Sequence, residues 1–197
     1  MVPCVLTCLI GRRLGGEVGP LDHFDLRDLA ASILAHLCRH FSKASTTLKP
    51  RLARSCLKAF LDPQKPFGTH YGAILGLRAA GGSDAVRVLI VPNLREYESL
   101  IRDELTITKS GGEEKSSTPR SEADRVLGAI LNVLAALIGD DVIPLPMPLM
   151  NGHTDDAASE IRAKLVEKVG EVIGGTIADS GHLQLAQAVI DSSSLAL

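Results

Sequence analysis

Tryptophan is absent from the 197 residues, and aromatic side chains of any kind make up only 3%. A core built from this chain must therefore be filled by Leu, Ile, Val and Ala. Cysteines are few: Cys4, Cys8, Cys38 and Cys56. All four fall in apolar helical runs, where a free thiol behaves as a small hydrophobe. They form no disulfide framework, which suits a reducing compartment. No apolar run approaches the roughly 18 residues that a membrane span needs. The opening apolar stretch is followed by Arg12-Arg13 and not preceded by basic residues, so a signal peptide is rejected. Phosphate-cradling motifs are also missing. Gly81-Gly82 and Gly174-Gly175 fit neither GxGxxG nor GxxxxGK[ST], and both are read as helix stops.

Neither charge sign dominates, with 21 Lys/Arg against 23 Asp/Glu and a net charge of −2. The distribution is uneven. Residues 1–70 hold ten basic and five acidic side chains, and residues 109–197 hold seven and thirteen. Solvated helix faces explain this simply; two ends suited to different partners is the sharper reading. The length fits a single domain, 1–197, with a continuous core.

Helical periodicity runs through most of the chain. Residues 2–14 predict a first helix with Val5, Leu6, Leu9 and Ile10 inward. A second begins near Asp22, its N-cap, and places Leu26, Leu29, Ala30, Ile33, Leu34, Leu37, Cys38 and Phe41 on one stripe. A third covers Thr47–Leu61, with Leu48, Leu52, Cys56, Ala59 and Phe60 inward and Pro50 tolerated in the first turn. The Asp62-Pro63 step ends it. Pro66 then suits the first turn of a fourth helix carrying Phe67, His70, Tyr71, Ile74 and Leu77, which Gly81-Gly82 closes. The product is an antiparallel helix pair turning on a corner of Asp62, Pro63, Pro66, His70 and Tyr71.

Residues 86–91, Val-Arg-Val-Leu-Ile-Val, read as a buried strand by propensity. No second run of equal strength exists for them to pair with, so a helix capped by Ser83 or Asp84 is taken instead. Pro92-Asn93 starts the next, with Leu94, Tyr97, Leu100, Ile101 and Leu105 inward. Residues 107–120 read as a flexible polar loop. Ser121-Glu122-Ala123-Asp124 resembles a capping box and opens a helix with Val126, Ile130, Val133, Leu134, Leu137 and Ile138 inward, ending at Gly139. Residues 140–150 alternate proline with apolar side chains and predict extended chain. Asp155 or Asp156 caps a helix carrying Ile161, Leu165, Val169, Val172 and Ile173. A last helix spans about 179–191, with Leu183, Ala186, Val189 and Ile190 inward, before a tail at 192–197.

Two segments carry a family resemblance: AFLDPQKPFGTHYGAILGL, and VRVLIVPNLREYESLI shortly after it. Together with LTCLIGRRLG and HFDLRDLAASILAHLCRHF before them, they resemble the C-terminal HEAT-repeat domain of TFIID subunit 6, a family of TATA-binding-protein-associated factors. The resemblance covers roughly residues 5–105. It implies a helix in place of the 86–91 strand. It also implies a nuclear location and assembly with other TFIID subunits and with subunits of related coactivator complexes. In that family an N-terminal histone fold precedes this domain. No histone fold is read in this sequence, so its pairing activity is not carried over.

The remaining chemistry is thin. Cys4/Cys8 and His36/His40 each have the i, i+4 spacing that puts two metal ligands on one helix face, but core cysteines and surface histidines explain them better. Cys56 and His70 could be read as a nucleophile and base, yet no Gly-rich oxyanion loop accompanies them. Arg12, Arg13, Arg39, Lys43, Lys49, Arg51, Arg54 and Lys58 form a loose basic set without interleaved exposed aromatics, so direct DNA contact is the weaker reading. The expected architecture is all-α, an α-solenoid of about nine helices in irregular HEAT-like antiparallel pairs. The expected function is a non-enzymatic scaffold in RNA polymerase II transcription initiation, with no cofactor, metal, membrane or small-molecule substrate. Arg51, Arg54, Lys58, Ile143, Leu145 and Met147 are the expected partner surface. The alternatives are a solenoid adaptor outside transcription and a small α/β enzyme built around Val86–Val91.

Overall fold

One helix, Phe67–Ala85, is buried on nearly every side, and the others are arranged around it. In the computed structural model, residues 2–12, 14, 22–41, 45–110, 118–139 and 155–192 are described. They form α1 (Val2–Ile10), α2 (Asp22–Phe41), α3 (Leu48–Phe60), α4 (Phe67–Ala85), α5 (Leu94–Ser110), α6 (Thr118–Ala135), α7 (Asp155–Val169), α8 (Glu171–Asp179) and α9 (Leu183–Asp191). There is no strand among the described residues, which removes the α/β alternative. The fold is all-α and solenoid-like. α4 packs on α1, α2, α3 and α6; α5 packs on α6, α7 and α8; α7 packs on α8 and α9. A single apolar core runs from Leu9 through Leu34, Phe60, Ile74 and Leu77 to Ile130, Leu165 and Val189.

A turn built on Asp62 joins α3 to α4. The Asp62 carboxylate accepts the Gln64 N–H at 3.0 Å, an Asx turn, and the Asp62 carbonyl accepts the Lys65 N–H at 3.1 Å. Pro66 is extended and precedes the helix instead of opening its first turn; its carbonyl accepts Thr69 N–H at 2.8 Å. α4 can sit in the centre because Gly68, Gly72 and Gly76 face its neighbours at helical spacing. A Cβ on Gly72 would lie 1.8 Å from the Leu9 carbonyl oxygen, so α1 and α4 meet backbone to backbone. Sequence reasoning passed over this glycine face because it searched for apolar side chains.

Several expectations are corrected. α1 ends at Ile10, not at residue 14. On α2 the inward side chains are Phe24, Arg27, Ala30, Leu34 and Cys38, while Leu26, Leu29, Ile33 and Phe41 are exposed. The helix is rolled toward Arg27 because that guanidinium has backbone partners inside. Residues 86–91 are helical and not a strand, as expected, but in π and 3₁₀ geometry and not as an α-helix of their own. Gly82 breaks the helix at φ 60°, and a π turn (Val86–Ile90) and a 3₁₀ turn (Val91–Asn93) lead into α5. They bury Val86, Ile90 and Val91 and leave Val88 66% exposed.

α5 runs to Ser110 and α6 starts at Thr118, so both ends of the expected 107–120 loop are helical; residues 111–117 lie outside the described residues. The expected capping box at Ser121 therefore falls inside α6, whose first turn takes Pro119. Gly174-Gly175 is not a helix stop. The stop is Gly170, at φ 94°, and α8 runs through both later glycines. Gly174 faces α7, where a Cβ would meet the Leu165 backbone at 2.8 Å. On α9, Leu183 points outward and Leu185 inward, and Ser192 is buried, not part of a tail. The proline-rich segment 140–150, with Ile143, Leu145 and Met147, lies outside the described residues, as does 193–197.

Candidate interaction surfaces

The end of α1 is sealed by a buried cation. Arg27, 1% exposed, donates from Nη1 to the Leu9 carbonyl at 2.6 Å and from Nη2 to the Gly11 carbonyl at 3.0 Å. Thr69 Oγ1 donates to the same Gly11 oxygen at 3.2 Å. The last carbonyls of a helix lack internal partners and carry its negative dipole end, so a guanidinium suits them. Burial still pulls the Arg27 pKa down to about 10, with Glu122 opposing. Arg12 adds a bond to the Gln64 carbonyl at 3.0 Å, fixing the α1 end to the corner.

Asp62, Pro63 and Pro66 lie in the turn between α3 and α4, and His70 is tied to it. The His70 ring is buried, with Nδ1 3.1 Å from the Phe60 carbonyl oxygen and Nε2 3.0 Å from that of Lys65. It ties the last turn of α3 to the corner and stacks near Tyr97 and Phe67. Burial holds its pKa below the usual value, against the two carbonyl contacts and Asp62, which raise it. Tyr71 turns the other way and donates to the Asp28 carboxylate at 2.7 Å. Burial, first, and that carboxylate push its phenol pKa up.

Beyond Tyr71 lies a groove of about 980 Å³ between α2, α4 and α6, with Lys49 of α3 at one end. Arg39, Lys49, Arg78 and Arg125 line it together with Asp28. Arg78 donates to the Asn132 side-chain oxygen at 3.3 Å, and Arg125 stacks on the Phe24 ring at 4.9 Å. Cys38 also lines it; burial raises its thiol pKa and the Lys49 charge pulls it back. On another flank of α2, Leu26, Leu29, Ile33 and Phe41 are large apolar side chains left outside the core. Arg51, Arg54 and Lys58 are exposed along α3, and Arg51 also edges a cleft of about 340 Å³ beside α1.

The weighed chemical pairs do not assemble. Cys56 faces Gly76 in the core, and burial pushes its thiol pKa up to about 12, far from a thiolate at neutral pH. Both His70 nitrogens face carbonyl oxygens and not that sulfur. Cys4 is exposed and Cys8 half-buried, so neither is a core residue as expected. His36 and His40 stack on each other with ring centroids 4.2 Å apart. No cluster of three or more His, Cys, Asp or Glu side chains with metal-site geometry occurs among the described residues.

Comparison with known proteins places this arrangement. Residues 1–95 match the TAF6 C-terminal HEAT repeat domain. The SAGA complex/transcription factor TFIID complex subunit Taf6 of Schizosaccharomyces pombe is 40% identical over 169 residues, 86% of this chain and 35% of that protein. The transcription initiation factor TFIID subunit 6 of Arabidopsis thaliana is 41% identical over 138 residues, 70% of this chain and 24% of that protein. Residues 1–95 belong to the TAF6 C-terminal HEAT-repeat family.

The TAF6-like RNA polymerase II p300/CBP-associated factor-associated factor 65 kDa subunit 6L of Mus musculus is more distant, 30% identical over 142 residues, 70% of this chain and 22% of that protein. The chain thus spans about a third or less of the length of the curated relatives it matches. The TAF6 domain match ends just inside α5, so it contains α1–α4, the Arg27 seal, the corner and three of the four groove cations; Arg125 lies beyond it. Arg27 was missed by sequence reasoning because a charged residue flanked by Leu26 and Asp28 reads as surface. Its only sequence signal was the mismatch between one Arg and an otherwise apolar i, i+3, i+4 series through Phe24, Ala30 and Leu34.

Proposed function

We propose that the chain is a non-enzymatic helical scaffold of a TFIID-type complex, acting in the nucleus in RNA polymerase II transcription initiation through protein–protein contacts. The names of the relatives supply the complex, TFIID in several and SAGA as well in one. The observation that carries the mode of action is the row Leu26, Leu29 and Ile33, large apolar side chains exposed on one flank of α2. Apolar side chains rimmed by polar ones mark partner surfaces. Arg51, Arg54 and Lys58 on α3 form a second, basic contact face in this proposal. Ile143, Leu145 and Met147 remain part of it on sequence grounds.

Affinity purification of the tagged chain from nuclear extract tests the proposal. Recovery of TATA-binding-protein-associated factors is the expected result, reduced in a Leu29→Glu/Ile33→Glu variant whose circular dichroism and melting are unchanged. Recovery of a set of proteins free of transcription factors would replace TFIID with an adaptor role elsewhere.

A further inference from the structure

α1 and α3 both pack on α4, yet they hardly touch each other. They converge over Gly76, where an added Cβ would meet both Leu9 Cδ2 and Cys56 Sγ. Toward the starts of the two helices a cleft of about 340 Å³ opens between Val2, Pro3 and Leu6 of α1 and Leu48 and Leu52 of α3. Leu52 is buried, while Val2, Leu6 and Leu48 are half-buried, so the apolar lining is reached from solvent. The volume is at the small end of the roughly 300–1,000 Å³ of ligand pockets. It suits a few anchoring side chains of a larger partner and not a whole helix.

The rim of this cleft carries charge of one sign. Arg51 edges it, and Arg54 and Lys58 follow at i+3 and i+7 on the exposed side of α3. At a rise of about 1.5 Å per residue they form a row of about 10 Å along the helix. Neither helix supplies a carboxylate to offset them. α1 holds no charged residue, α3 holds no Asp or Glu, and the sequence between Asp28 and Asp62 contains neither. Among the described residues, no carboxylate pairs with Arg51, Arg54 or Lys58. An aliphatic recess beside such a row is complementary to a chain that sets apolar side chains next to carboxylates. Nucleic acid would satisfy the cations but gains nothing from an aliphatic lining. The stacking of bases needs aromatic faces, and the lining residues include none.

We propose that the cleft between α1 and α3 docks a short amphipathic segment of a partner protein. Its large apolar side chains seat between Leu6, Leu48 and Leu52, and its Asp or Glu residues face Arg51, Arg54 and Lys58. Burial of the anchors supplies affinity. The row of cations fixes the orientation and steers the approach, so the association weakens with salt. The proposal gives the basic α3 face of the scaffold reading a partner chemistry, and it rests on that reading for the presence of a partner. It does not depend on which complex that partner belongs to.

The test uses the full chain and a fluorescein-labelled synthetic peptide of about 15 residues, with Leu at helical spacing among Asp and Glu, read by anisotropy. One comparison peptide replaces Asp/Glu by Asn/Gln, another replaces Leu by Ser, and a duplex oligonucleotide is the third ligand. The expected result is saturable binding of the first peptide, loss of binding by both comparison peptides, and weakening by about tenfold or more in Arg51→Glu/Lys58→Glu. Both of these positions are exposed, and melting curves check the fold of the variant. A second variant, Ser55→Phe, fills the cleft without changing charge and is expected to weaken binding as well. Equal binding of either comparison peptide overturns the proposal, since it needs anchors and carboxylates together. Tighter binding of the duplex overturns it in favour of nucleic acid. Binding that persists in both cleft variants but disappears in Leu29→Glu/Ile33→Glu overturns it in favour of the α2 flank. Self-association in sedimentation that Ser55→Phe abolishes overturns it in favour of a second copy of this chain. No saturable peptide binding overturns it outright. Recovery of transcription factors from nuclear extract alongside any of these overturning results condemns the cleft alone and leaves the scaffold reading standing. Cleft-dependent peptide binding without that recovery supports the cleft and condemns the TFIID reading.

Discussion

The Glu98 carboxylate caps α8: its Oε1 accepts the Val172 backbone N–H at 2.8 Å, across 74 residues of sequence. Glu98 is 5% exposed, and α8 begins one residue earlier, at Glu171. A carboxylate from α5 thus meets the free N–H groups and positive dipole end of α8. Gly170 makes room for it, since a Cβ there would lie 1.9 Å from Glu98 Oε2. Glu98→Ala is expected to destabilise by about 1–3 kcal/mol, because it leaves the part-buried Val172 N–H without its partner. Glu98→Gln keeps an acceptor and should lose less. Urea denaturation reads both; equal, negligible losses would mean that the cap carries no stability.

Gly72 and Gly128 should respond to alanine with opposite signs. At Gly72 the added methyl meets the Leu9 backbone, which cannot move aside as a flexible side chain would. Overpacking of this kind costs about 1–3 kcal/mol. At Gly128, within α6, nothing lies within 4 Å of the added carbon. Alanine there should stabilise by about 0.4–1 kcal/mol through helix propensity and unfolded-state entropy. Thermal melts of the two single variants decide the matter, and a stable Gly72→Ala protein would rule out the α1–α4 backbone contact.

Much of the fold was legible because helices announce themselves by period. α3 kept every predicted core position from Leu52 to Phe60, and the Asp62 corner formed through the turn chemistry its residues favour. Even the number of α-helices among the described residues agrees with expectation, though by a different division: 86–91 joined as turns, and Gly170 split one predicted helix into α7 and α8. What the sequence hid was rotation about a helix axis. On α2, apolar residues occupy so many positions that two stripes are available, and the inward one is the stripe that brings Arg27 to the α1 carbonyls. The groove was hidden for a related reason. Arg39, Lys49, Arg78 and Arg125 are far apart in sequence and share no spacing; the packing of α2, α3, α4 and α6 brings them to one recess.

Leu34 and Leu29 measure that rotation directly. Both are leucines on α2, the first fully buried and the second 57% exposed. Leu34→Ala should destabilise by about 2–5 kcal/mol, the range for a buried large-to-small change. Leu29→Ala should stay within about 0.5 kcal/mol, as surface substitutions do. Similar losses at both sites, in matched denaturation curves, would contradict the observed roll of α2.

His70 should make the fold weaken in mild acid. In a neutral imidazole only one nitrogen donates, so one carbonyl contact, to Phe60 or Lys65, lacks a hydrogen between its atoms. Protonation would supply it, and Asp62 would favour the charge; burial opposes both and is the largest influence, leaving the folded-state pKa below the ordinary histidine value. The unfolded chain therefore takes up a proton at higher pH than the folded one. Stability is full above the unfolded pKa of about 6.5 and declines as pH falls from there through the lowered folded pKa. Urea midpoints measured from about pH 7.5 down to about pH 5 should fall for the natural chain. His70→Gln removes the titrating ring and keeps one donor and one acceptor for the two carbonyl-facing positions. Its midpoint should begin lower and change less over the same interval. An identical decline in the variant would assign the acid sensitivity to other groups; a rise in the natural chain's midpoint on acidification would mean that the two carbonyls outweigh burial and hold the ring as an imidazolium.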